Sequence, residues 1–184
     1  MGGPPEGLPG GLPEGLSIAV SLRPVAEDDL PAIQRIYRRH VLEGTASFEE
    51  EPPDIDEMAA RLAAIRQRGL PYIVAEPAAG GTLAGYAYAS PYRSRSAYRF
   101  TVEDSIYLDP AFAGRGIGRA LLTRLLADCA AIGMRQVVAV IGGVDNLASV
   151  RLHAALGFRQ VGVLEGVGCK FGRSLNTVLM QRAL

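Results

Sequence analysis

A chain of 184 residues, 48% hydrophobic and 21% charged, is long enough to bury a core as one domain and has the composition of a soluble globular protein. Lysine plus arginine and aspartate plus glutamate number 19 each, so a net charge of zero gives no electrostatic ground for nucleic acid or an anionic membrane as partner, and no apolar run reaches the roughly 18–20 residues of a membrane span. Two cysteines far apart in sequence, Cys129 and Cys169, and only two histidines, His40 and His153, exclude a disulfide framework and a histidine-rich metal cluster.

The first sixteen residues, MGGPPEGLPGGLPEGL, have no positively charged start and no continuous apolar stretch. They do not read as a secretory signal, and the expected compartment is the cytoplasm. Dense Gly and Pro bury too little apolar surface to offset the entropy of ordering, so residues 1–16 are expected to be a flexible tail before a folded domain over 17–184. Residues 18–23 suit a strand. Glu27, Asp28 and Asp29 then supply negative charge at a helix start, and Leu30, Ile33, Ile36, Tyr37 and Val41 recur at helical spacing, giving a first helix to about His40. Gly44 to Pro53 reads as a loop. Asp54 or Asp56 caps a second helix with Met58, Leu62 and Ile65 on its buried stripe and Gly69 at its end.

Strands at 72–76 and 82–90, joined by a Gly80-Gly81 turn, read as a hairpin. A polar segment, 91–101, leads to a strand at 102–108 that Asp109-Pro110 stops. A third helix fits 117–132. The β-branched run 136–142 reads as a strand buried on both faces. A fourth helix over 146–156 ends at Gly157, and strands fit 158–166 and 175–182. The order β-α-α-β-β-β-α-β-α-β-β predicts an α/β fold in which a mixed sheet is covered by about four helices.

The most informative segment is 105–126, SIYLDPAFAGRGIGRALLTRLL, where a strand passes through the turn GRGIG (114–118) into an amphipathic helix. Glycines let backbone approach a ligand closely, and a helix N-terminus presents free N–H groups with a partial positive charge. Gly114, Gly116 and Gly118 with the backbone of Ile117 therefore suit a pyrophosphate cradle, with Arg115 and Arg119 adding charge. There is no Lys-Ser or Lys-Thr for a P-loop, and no acid on the next strand for a Rossmann fingerprint. On the local motif alone, a helix start that merely favours glycine remains an alternative.

This turn and helix, followed by a strand and then by Asn146, Ser149, His153, Gly157 and Phe158 in the spacing N-x-x-S-x-x-x-H-x-x-x-G-F, resemble the GNAT acetyltransferases. The resemblance covers about residues 18–184. One difference is Ala113, where Arg or Gln is usual. GTASFEEEPP (44–53), SPYRSRSAYRFTVEDSIYL (90–108), AVIGGVDNLASVRLHAALGF (139–158) and VGCKFGR (167–173) resemble the phosphinothricin and methionine sulfone or sulfoximine branch of that family. After K-F-G-R that branch commonly has Trp, then Leu-Asp, where this chain has Ser174, Leu175 and Asn176.

The resemblance implies acetyl-CoA as co-substrate, no metal, a small amino-acid-like amine as acceptor, and a homodimer. It implies that Glu103 takes the amine proton, directly or through a water; a solvated strand glutamate is the alternative. It places His153 near the coenzyme sulfur, to protonate the departing thiolate or hold a water, against a helix histidine satisfied locally. Asn146 caps the fourth helix and reaches the pantetheine arm. Ile106, Tyr107 and Leu108 flank a place where two strands splay and their backbone binds pantetheine, with the Leu108 N–H stabilising the oxyanion. Arg93, Arg95 and Tyr98 suit an anchor for a carboxylate or phosphinate, or are surface groups. Phe48 packs on the substrate or is ordinary core, and Lys170 contacts substrate or pairs with a carboxylate. The resulting reading is direct acetyl transfer in a ternary complex, because neither cysteine lies in a base-flanked motif. Acetylation of another amine (another amino acid, a protein N-terminus) and a non-catalytic acyl-CoA-binding module are the other readings.

Overall fold

The computed structural model of the protein describes residues 19–143 and 146–184; the expected tail over 1–16 and the first residue of the first expected strand lie outside them. The elements are β1 (Val20–Pro24), α1 (Leu30–Glu43), α2 (Ile55–Gln67), β2 (Tyr72–Pro77), β3 (Gly85–Pro91), β4 (Thr101–Leu108), α3 (Ile117–Ala131), β5 (Gln136–Gly142), α4 (Leu147–Ala155), β6 (Arg159–Lys170) and β7 (Arg173–Ala183). Their order is the expected one. The seven strands form one sheet in the order β1-β2-β3-β4-β5-β7-β6, with β4 and β5 parallel and every other neighbouring pair antiparallel.

Local chemistry sets the ends of the elements. Asp54 is the cap of α2, its carboxylate accepting from the Glu57 N–H at 2.8 Å. Glu27–Asp29 form a short 3-10 turn ahead of α1, held by the Arg23 guanidinium on the Asp29 carboxylate at 2.7 and 2.8 Å. β6 and β7 run further than the sequence suggests and close through a two-residue turn in which Phe171 and Gly172 both have positive φ (52° and 69°), the twist that tight hairpins favour. β5 differs from its expectation in one respect. Val140 is exposed although its neighbours are buried, because it reaches the sheet's open side beyond the last β4–β5 pair.

The strand period of two sorts the β4 side chains onto opposite faces. Glu103, Ser105 and Tyr107 face α1 and α2, and Tyr107 meets the edge of Tyr37 of α1 with ring centroids 5.0 Å apart. Val102, Asp104, Ile106 and Leu108 face α3 and α4: a Cβ at Gly118 would lie 3.5 Å from Leu108, and Asp104 is bonded to His153. Apolar burial is concentrated beneath α1 and α3, where Ile33, Ile36, Val41, Leu121, Leu122 and Leu125 are closed off from solvent.

Candidate active site

β4 and β5 pair only from Thr101↔Gln136 to Asp104↔Ala139, although both strands continue. Beyond that point they diverge and leave a slot of about 60 Å³, walled by Ser105, Ile106, Ile141, Asn146 and Ser149 among others. The β3–β4 ladder decides which backbone groups face it. Tyr92 N–H bonds Thr101 C=O and Asp109 N–H bonds Ala84 C=O, and between these pairs hydrogen-bonded pairs recur every second residue. The backbones of Ser105 and Tyr107 are therefore committed to β3, while those of Ile106 and Leu108 point into the slot. Of the three residues singled out in sequence, Tyr107 supplies ring rather than backbone. His40, which sequence reasoning passed over, donates from Nε2 to the Leu108 carbonyl at 2.8 Å, so the Leu108 N–H remains as the open group.

At one end of the slot α3 begins. Gly114 (φ 74°) and Gly116 (φ 78°) adopt left-handed angles that only glycine takes without strain, and no side chain caps the first N–H groups of the helix. Gly114, Arg115, Gly116 and Arg119 are exposed there, whereas Ile117 is buried and contributes backbone alone. Open N–H groups, a helix dipole and two guanidiniums fit a pyrophosphate. Asn146, at the start of α4, accepts from Ser149 N–H at 3.4 Å, a long cap bond that leaves its amide facing the slot.

On the other side of the sheet the slot opens into a cleft of about 450 Å³ containing Glu103, Phe48, Glu49 and Thr177. Ala46, Ser105, Tyr107, Val140 and Gly142 line both cavities, so the two meet there. Burial pushes the Glu103 carboxyl above the usual carboxylate range, the neighbouring Asp104 charge adds to this, and Arg93 acts against it.

Phe48 is clamped. A Cβ on Gly168 would lie 2.3 Å from its Cε2, and one on Gly142 would lie 2.7 Å from its Cε1, so two bare backbones hold the ring edge-on while part of it remains exposed to the cleft. The loop carrying it is tied down twice. Lys170, almost fully buried, donates from Nζ to Ser47 C=O at 2.7 Å, and the Ser47 hydroxyl meets the Tyr37 hydroxyl at 2.8 Å. Lys170 is thus bonded to the loop rather than to a carboxylate. Burial lowers its pKa, with Glu50 and Glu49 opposing.

His153 is 2% exposed and both ring nitrogens are engaged: Nδ1 with Ser149 C=O at 2.7 Å and Nε2 with Asp104 Oδ2 at 2.9 Å. A carbonyl and a carboxylate are both acceptors, an arrangement that favours the doubly protonated ring. Burial lowers its pKa, but the bond to Asp104, that carboxylate's charge and the Ser149 carbonyl outweigh it, and the net direction is up. Asp104 was missed in sequence. Its signal was the V-E-D triplet, in which the period of two sends Glu103 and Asp104 to opposite faces.

Arg93, Arg95 and Tyr98 sit on the β3–β4 loop around a separate open cleft with Tyr92 and Ser94. Glu103 does not line that cleft; of the three, Arg93 alone reaches it electrostatically. Among the described residues no group of three or more His, Cys, Asp or Glu side chains converges to hold a metal ion, and no helix is long and apolar enough to cross a membrane.

A splayed parallel strand pair, an open helix start at one end and a carboxylate at the other suit acyl transfer, and the Acetyltransferase (GNAT) family matches residues 33–158. The chain belongs to that family. It is 57% identical over 166 residues to the phosphinothricin N-acetyltransferase of Alcaligenes faecalis, covering 90% of this chain and 83% of the relative. It is 38% identical to the L-methionine sulfoximine/L-methionine sulfone acetyltransferase of Salmonella typhimurium, covering 90% and 95%. The crystal structure of a phosphinothricin acetyltransferase from Sinorhizobium meliloti in complex with AcCoA superposes with a TM-score of 0.86 at 50% identity, covering 90% of this chain and 88% of that one.

Proposed function

We propose that the protein is an N-acetyltransferase that moves the acetyl group of acetyl-CoA to the primary amine of a small amino-acid-like molecule of the phosphinothricin or methionine sulfone type. The observation that carries this reading is the meeting of the narrow slot with the Glu103 cleft at the open end of β4 and β5. The narrow slot suits an acyl-pantetheine thread, and the pyrophosphate belongs on the start of α3. Glu103 takes a proton from the acceptor ammonium, which gives the neutral amine that attacks the thioester carbonyl. The Leu108 N–H donates to the oxygen that gains charge, and the carbon–sulfur bond then breaks, expelling the coenzyme A thiolate, which takes up the proton shed by the new amide nitrogen. His153 is a positioning residue here: its bonds to Asp104 and to the Ser149 carbonyl hold β4 and α4 together beneath the slot, and Asn146 reaches the thread from the start of that helix.

The acceptor side is completed by Phe48, held by the Lys170-fixed loop, and by Arg93 beside Glu103, with Arg95 and Tyr98 further along the loop as anchors for the acid end of the substrate. A homodimer is part of the proposal. β6 is an edge strand on which Val161, Val163, Leu164 and Val167 are all exposed, a surface suited to a second copy. We place the enzyme in the cytoplasm, in keeping with two unpaired cysteines, Cys129 and Cys169. The test is coenzyme A release from acetyl-CoA over a panel of amines. Turnover with phosphinothricin and methionine sulfone well above that with polyamines is expected; release with none of the panel would remove the enzymatic reading.

A further inference from the structure

Leu108 is the residue whose N–H the proposed transfer uses, and its other groups are all held. Its side chain packs against two bare backbones: a Cβ on Gly85 would lie 2.5 Å from its Cδ2, and one on Gly118 would lie 3.5 Å from its Cδ1. The peptide that follows it is pinned at both ends. The Asp109 N–H bonds Ala84 C=O on β3 at 3.0 Å. The Leu108 C=O lies on the side of β4 that has no strand partner, because the β4–β5 ladder stops at Asp104↔Ala139, and there His40 of α1 bonds it through Nε2 at 2.8 Å. A carbonyl only accepts, so Nε2 carries the hydrogen.

His40 thus supplies the donor that β5 would supply if the ladder continued. An open strand edge presents both N–H and C=O groups. With the Leu108 carbonyl taken up from α1, the N–H is what this residue offers to the slot, and a donor is what an acyl oxygen gaining charge requires. The imidazole is itself fixed. His40 lies one turn along α1 from Tyr37, and both rings meet Tyr107, with centroids 5.3 and 5.0 Å away. The Tyr37 hydroxyl also meets that of Ser47, so one turn of α1 contacts both the strand that borders the slot and the loop that carries Phe48.

We infer that His40 is a positioning residue for acetyl transfer: by holding the Leu108 carbonyl it fixes the direction in which the Leu108 N–H meets the acetyl oxygen of acetyl-CoA. This deepens the proposed acetyl transfer and rests on it. His40 acts through Leu108 and not on the reacting atoms. The role needs a donor at the reach of Nε2, and needs neither the ring nor a charge. Without that donor the peptide after Leu108 is pinned at one end only, and a misplacement of about 1 Å at such a contact can cost about 100-fold in rate.

The test compares His40→Leu, His40→Asn and His40→Gln. A glutamine amide nitrogen reaches about as far as imidazole Nε2, whereas that of asparagine stops near the place of Nδ1. Melting curves and circular dichroism fix the folded fraction of each variant. kcat should fall by about 10- to 100-fold in His40→Leu and His40→Asn and stay within severalfold of the wild type in His40→Gln, with acceptor KM and calorimetric affinity for coenzyme A unchanged throughout. A second readout needs no turnover: the infrared stretch of acetyl-CoA isotope-labelled at the acetyl carbonyl, bound in the absence of amine. It should lie lower in the wild type and His40→Gln, where the N–H is aimed at the oxygen, than in the other two. A residue that merely ties α1 to β4 would lower the melting temperature of His40→Leu while kcat of the folded protein and the carbonyl stretch stayed at wild-type values. That result would overturn the proposal, as would a His40→Gln protein no better than His40→Asn. If no amine is acetylated and the carbonyl stretch still follows the donor, the positioning stands and the reading of an amine acceptor falls.

Discussion

Gly168→Ala should disturb the acceptor cleft while leaving coenzyme A binding alone. The added Cβ would lie 2.3 Å from Phe48 Cε2, 2.7 Å from Cδ2 and 3.0 Å from Cζ. Carbon atoms rest at about 3.5–4.0 Å, so the ring has to move by about 1.2 Å or more. It cannot move toward β5, because the Gly142 backbone already touches its other edge. It can only swing out into the cleft, dragging against the Lys170–Ser47 bond. Overpacking of this kind costs about 1–3 kcal/mol, and about 2–4 °C of Tm accompanies each kcal/mol in a chain of this size. Acceptor KM should rise severalfold. In a Phe48→Ala background the same glycine change should cost almost nothing, because the clashing ring is gone, so a double-mutant cycle should give a coupling of at least about 1 kcal/mol. Thermal melts of the four proteins, with acceptor KM for each, make the measurement. An equal cost of Gly168→Ala in both backgrounds would refute the clamp.

Three further outcomes are expected. Gly116→Glu, which puts a charged side chain on a left-handed residue at the start of α3, should weaken coenzyme A binding by more than tenfold, a loss above about 1.4 kcal/mol, measured by calorimetry with circular dichroism as the check on folding. Lys170→Met should release the 44–53 loop and raise acceptor KM while kcat/KM for acetyl-CoA holds, and Lys170→Arg should recover part of the loss by restoring a donor to Ser47 C=O. His153→Asn should destabilise most near pH 6 and progressively less at alkaline pH. The histidine's folded pKa is raised, so its stabilising contribution is fully present below the unfolded value of about 6.5 and is lost as pH rises through the folded one; melts across pH read the trend.

How much of this was legible in sequence depended on how local the cause is. The turn 114–118 and the helix after it were readable because glycine, strand end and helix start are contiguous. So was the cap at Asp54. The last two strands came out short, because Gly162, Gly166 and Gly168 and the register shifts between Gln160 and Gly162 and between Leu164 and Gly168 break the alternation that marks a strand. Phe48 was noticed, but nothing near it in sequence shows that two glycines, on β5 and β6, leave room for its ring. The Asp104–His153 pair joins residues 49 apart and needs the parallel β4–β5 crossover to bring α4 over β4.

The central claim is that Glu103 removes the amine proton, and the kinetics of Glu103→Gln across pH test it most directly. Glutamine keeps the shape and removes the base. kcat should fall by about 10²–10⁴, with coenzyme A affinity unchanged, because the α3 cradle is a separate element. The acid limb of the wild-type kcat/KM profile should lie above the ordinary 4.5 of a glutamate and vanish in the variant, and the variant should recover partly at high pH, where more of the amine is already neutral. The fold disfavours the ionised carboxylate, so the group's contribution to stability is present below its unfolded pKa and lost as pH rises through the raised folded one; at neutral pH the variant should melt no lower than the wild type. A folded Glu103→Gln protein with near-normal kcat and an unchanged acid limb would contradict the account.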